Sequence, residues 1–79
     1  MTEQKMLQIE NVIRSLCPGM PTVSAEIRIR FSSVATGGDT RGKLIHYIRA
    51  VVDTLYYLGH ENDAKSMHDF LMLVRREVI

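Results

Sequence analysis

At 79 residues, read as one domain spanning 1–79, the chain is near the lower limit of what folds unaided, and a multi-domain enzyme is excluded. Its 46% hydrophobic and 24% charged residues are a globular balance, while ten Lys+Arg against nine Asp+Glu leave a formal charge of only +1, so no bulk field draws it to nucleic acid or an anionic membrane. Any anion site must be local.

From Thr2 to Leu16, the apolar residues Met6, Ile9, Val12, Ile13 and Leu16 recur at three- and four-residue spacings, which predicts a helix with one buried face. Pro18, Gly19 and Pro21 end it. The segment carries Glu3 and Glu10, so it has no signal-peptide core, and no window approaches the ~18 apolar residues of a membrane span. From Thr22 the period changes: Val23, Ala25, Ile27, Ile29 and Phe31 are apolar at every second position, with Ser24, Glu26, Arg28, Arg30 and Ser32 between them. This alternation predicts a half-buried strand, with both arginines on its polar face. Ser32 to Gly42, SSVATGGDTRG, reads as a loop.

Asp39 or Thr40 then caps a middle helix that runs to about Leu58 and stops at Gly59. Leu44, Ile48, Val51, Leu55 and Leu58 form one stripe of it and Ile45, Val52 and Tyr56 a second, so it is expected to be buried on most sides. Asn62 or Asp63 caps a last helix to about Val78, with Met67, Phe70, Leu71, Val74 and Val78 facing inward. The last two helices therefore form an antiparallel hairpin.

The order helix, strand, helix, helix is an α+β fold with a lone strand. An unpaired strand is not stable alone in water, and the expected remedy is the same strand from a second copy, antiparallel across a two-fold axis. The chain is thus expected to be a homodimer.

Among features that carry chemistry, Gly37-Gly38-Asp39-Thr40-Arg41-Gly42-Lys43-Leu44 has the G-x-x-x-x-G-K spacing of a phosphate loop. It lacks the final hydroxyl that holds magnesium, and a chain with one strand cannot build the parallel sheet that such a nucleotidase needs. What survives is a local anion site in which Gly38, Arg41 and Lys43 present N–H groups and charge at a helix N-terminus. Arg28 and Arg30, doubled across a dimer, would place four arginines on a ribbon of the width that enters a DNA major groove. With the two helices that follow, and the Leu58-Gly59-His60-Glu61-Asn62 turn before AKSMHDFLMLVRRE, the chain resembles the ribbon-helix-helix repressors over roughly residues 22–79. That resemblance implies an obligate dimer reading DNA through its strands. Glu26 in the reading face, the long SSVATGGDTRG spacer and the extra N-terminal helix depart from the family pattern.

His46, His60 and His68 lack the three- or four-residue spacing of helical metal ligands, so no metal is expected. Cys17, at a helix C-terminus, is in the wrong place for a lowered thiol pKa, and no cofactor or catalytic group is expected. Met72, Leu73 and Tyr57 fall off the main apolar stripes and are the expected exposed or dimer-facing patch.

These features point to a small non-enzymatic regulator or inhibitor, a type common among phage- and plasmid-encoded proteins. It would act by binding a host or regulatory protein as a homodimer. One free cysteine places it in a reducing cytoplasm, with no membrane partner. DNA is the alternative partner through Arg28 and Arg30, and a nucleotide or phosphate on the Gly37–Lys43 loop is the second.

Overall fold

The computed structural model describes residues 2–77, which form four helices: α1 (Glu3–Ser15), α2 (Pro21–Ala35), α3 (Arg41–Tyr57) and α4 (Glu61–Glu77). Among the described residues there is no strand, so the α+β expectation is corrected to an all-helical fold.

The correction lies in α2. Any alternation of period two contains a period of four, and within it Val23, Ile27 and Phe31, continued by Val34, form one stripe of a helix. Ile27 and Phe31 are fully buried, Val34 is buried and Val23 half-buried, whereas Ile29, which a strand would have placed beside them, is 62% exposed. Pro21 occupies the start of the helix, where its fixed φ is favourable and its missing N–H costs nothing. Glu26 and Arg30, which a strand would hold about 13 Å apart on one face, instead form an i,i+4 ion pair at 2.9 Å. A helix also satisfies its backbone groups within the segment, which a lone strand cannot.

Two expectations lose their premise with the strand. No edge demands a second copy for pairing, and no ribbon exists among the described residues to enter a DNA groove. Arg28 and Arg30, two residues apart on a helix, diverge by roughly 200° instead of sharing a face.

The other helices follow their apolar periodicity, with differences at their edges. Thr2 caps α1 by accepting from the Lys5 N–H, and Ile9, Ile13 and Leu16 are buried while Val12 is exposed. Thr40, not Asp39, caps α3 by accepting from the Lys43 N–H at 3.3 Å. In α4, Ala64, Met67, Phe70, Leu71 and Val74 are buried, and Val78 lies outside the described residues. The middle helix is less enclosed than its composition suggested: Leu44, Ile48, Val52 and Leu55 are buried, Val51 is only half-buried, and Tyr56 and Leu58 are exposed.

The predicted loop from Ser32 to Gly42 shrinks to Thr36–Thr40, because α2 runs through Ala35 and α3 begins at Arg41. Gly37, at φ +82°, ends α2: its N–H donates to Val34 O and the Gly38 N–H to Ser33 O, the paired bonds of a Schellman cap. The same device ends α3, where Gly59, also at φ +82°, donates to Tyr56 O and His60 to Leu55 O. Between α1 and α2, Ser24 Oγ donates to Leu16 O, and Cys17 takes the left-handed φ of +46° that side chains disfavour.

The buried side chains of all four helices form one cluster. Packing follows chain order: α1 lies against α2, α2 against α3, and α3 most extensively against α4. Among the described residues no helix is long and apolar enough to cross a membrane.

Candidate functional site

Packing α2 across α3 buries Ile27 and Phe31 on one side of the seam and leaves the other side open. On α3 the open side is a stripe at helical spacing, Lys43, Tyr47, Ala50, Thr54 and Leu58. On α2 it is Met20, just before the helix, then Val23 and Arg30. Ala50 keeps the seam open, because its methyl group cannot fill the space between larger neighbours.

The result is a groove in two joined parts. At the end nearer Leu58, a hollow of about 340 Å³ is walled by Met20, Val23, Val51, Thr54, Leu55 and Leu58. Toward the start of α3, a wider hollow of about 580 Å³ is walled by Arg30, Thr40, Gly42, Lys43 and His46. Tyr47 and Ala50 belong to both and mark their junction. One end is therefore apolar and the other basic.

Electrostatics sharpen the basic end. The Arg30 guanidinium lies over the Tyr47 ring, 4.3 Å from its centroid, while its Nε donates to Glu26 Oε1. Burial pushes the Tyr47 phenol above its ordinary range, Glu26 adds to that rise, and Arg30 opposes it. Lys43 makes a loose pair with Asp39 at 3.7 Å and its side chain remains 74% exposed. Both cations thus have an acidic neighbour on their own side of the groove, and both keep donors to spare.

The residues expected to bind an anion are distributed differently. The Gly38 N–H is taken by Ser33 O and the Lys43 N–H by Thr40 Oγ1, while Asp39 Oδ1 accepts from the Thr40 N–H. Arg41 Nη1 reaches away to Arg75 O near the end of α4, at 3.4 Å. Gly38 and Arg41 therefore stand apart from Lys43, which joins Arg30 instead. Gly42 lies within the first turn of α3, so the glycines that suggested a phosphate loop are a helix stop and a helical residue.

Arg28 faces the opposite way. With Arg14 it borders a hollow of about 240 Å³ at the α1–α2 turn, floored by Leu16, Cys17, Pro18 and Pro21. Sequence reasoning missed Arg14, whose place in the last turn of α1 is explained by the helix dipole alone. Cys17 is buried, and that burial, with Asp63 as a second cause, pushes its thiol up. The expected direction is right, but its main cause is desolvation and not the helix end. No group of three His, Cys, Asp or Glu among the described residues could hold a metal ion. Of the expected surface patch, Tyr57 is 89% exposed and Met72 is also exposed, but Leu73 is half-buried against the core.

No protein-family model matches the chain, and no curated protein or solved structure matches it either.

Proposed function

We propose that this chain is a non-enzymatic binding protein that regulates or inhibits a protein partner by occupying part of that partner's surface. The α2–α3 groove is the binding site. The observation that carries this reading is the groove's graded lining, from Met20, Val23 and Leu58 at one end to Arg30, Lys43 and His46 at the other. An apolar floor supplies affinity through area removed from water, and a charged end supplies register and orientation. Tyr47 suits such a junction, since tyrosine offers a large amphipathic contact at low entropic cost. A reducing, cytoplasmic setting fits the buried free thiol of Cys17.

A photo-crosslinking amino acid at Ala50, introduced into the protein in its native cell, tests this. The expected result is one crosslinked protein species that disappears when Leu58→Asp is added. A probe at Lys65, exposed on α4 outside the groove, should not capture it. Equal capture from both positions, or none from Ala50, would overturn the reading.

A further inference from the structure

We infer that the groove's occupant is an amphipathic helix of about four turns, apolar toward one end and carboxylate-bearing toward the other. This deepens the binding reading above and rests on it.

Length comes first. Lys43 and Leu58 lie fifteen positions apart on α3, which at 1.5 Å per residue is about 22 Å, the rise of roughly fifteen helical residues. A trough between two helices is the natural seat of a third, entered by side chains at i, i+3, i+4 and i+7. An extended segment would gain no ladder hydrogen bonds there, because the described residues offer no strand edge.

Charge then fixes the ends. Leu58 is 58% exposed, and with Met20, Val23 and Val51 it offers an apolar landing for leucine-like side chains. At the far end Arg30, which lines the groove, commits only its Nε to Glu26, so its terminal N–H groups make no hydrogen bond among the described residues. Lys43, loosely paired with Asp39, keeps an exposed ammonium with donors to spare. His46 lines the same end, and the N-terminus of α3 adds its positive dipole. Glu26 and Asp39 set a limit on this field: they would repel a partner carboxylate placed beyond the two cations. The acidic residues of the occupant are therefore confined to one end, over Arg30, Lys43 and His46, instead of spread along its length.

The test is selection of the full chain against a displayed library of random eighteen-residue peptides, followed by anisotropy titration of the enriched peptides. The expected winners have helical apolar spacing with Asp or Glu gathered at one end. Their affinity should fall about tenfold with Leu58→Asp and several-fold with Lys43→Glu. Both positions are exposed, so each variant should keep wild-type helicity by circular dichroism. A peptide in which the terminal carboxylates become lysines should regain affinity for the Lys43→Glu, Arg30→Glu double variant. Groove-dependent winners with no acidic end would sink the helix-polarity inference while leaving the binding reading intact. Winners indifferent to Leu58→Asp, or none at all, would sink both. A doubled mass by light scattering that Leu58→Asp abolishes would instead give the groove to a second copy of the chain and overturn the inference.

Discussion

Arg30 on α2 stacks over Tyr47 on α3 at 4.3 Å, a polar link between the two helices at the junction of the groove's apolar and basic ends. Because the guanidinium also pairs with Glu26 on its own helix, it reaches the ring from a fixed position, with little further entropy to lose. A double-mutant cycle with Arg30→Met and Tyr47→Leu, followed by urea denaturation, should give a coupling of about 0.5–1 kcal/mol. A coupling of zero would mean that the stacking does not help hold α2 to α3.

The α2 assignment separates two isoleucines that alternation treats alike. Ile27→Lys places a charge in the core and should unfold the chain, whereas Ile29→Lys, on the exposed side, should change stability by no more than about 0.5 kcal/mol. Phe31→Ala should cost about 3–5 kcal/mol, much of the stability available to a domain of this size. Circular dichroism with urea melts decides; equal damage at 27 and 29 would restore the strand.

Glycine substitutions should differ in sign. Gly37→Ala and Gly59→Ala each force a Cβ into the left-handed region and should destabilise by about 1 kcal/mol, although no neighbour would touch the added methyl group. Gly42→Ala, within α3 and equally free of neighbours, should stabilise by about 0.5 kcal/mol. If Gly42→Ala instead destabilised the chain, Gly42 would not be an ordinary helical position.

Alkaline pH should weaken the fold through Cys17. Its thiol is raised in the folded state, so the folded chain holds that proton more tightly than the unfolded one. The associated stability is complete below the ordinary thiol range and is lost as pH climbs through it. Tyr47, raised in the same sense, extends the loss to higher pH. Urea midpoints for wild type and Cys17→Ala at pH 7 and pH 10 should show a smaller alkaline loss in the variant. Equal losses would show that Cys17 does not contribute.

Much of the fold was legible where one signal stood alone. Met6, Ile9 and Ile13 admit only a helical period, and Gly59 marked the stop after Leu58 correctly because a left-handed C-terminal cap has few other occupants. α2 is ambiguous in the sequence because its apolar residues satisfy two periods at once. The arbiters were present in Pro21, in the Glu26–Arg30 spacing and in Val34 continuing the stripe past Phe31, but each is weak against five alternating residues. The site was less legible still. That Arg30 meets Lys43 and Arg28 meets Arg14 depends on how helices cross, and no local pattern encodes it. Ala50 gave no signal at all, since a small residue becomes a gap only beside larger ones.

Because each helix packs chiefly on its neighbour in the chain, few contacts have to wait for distant segments to meet, and folding should be fast, in the microsecond-to-millisecond range of helical bundles. The α3–α4 hairpin, the most extensively packed pair, is the natural first cooperative unit, with α1 and α2 docking onto it afterwards. Brief departures of that second unit would open the chain along the Tyr47 seam. A guest lying there would clasp the two halves together, and its arrival would be recorded as slower amide exchange in α2, a helix that forms only part of the surface it touches.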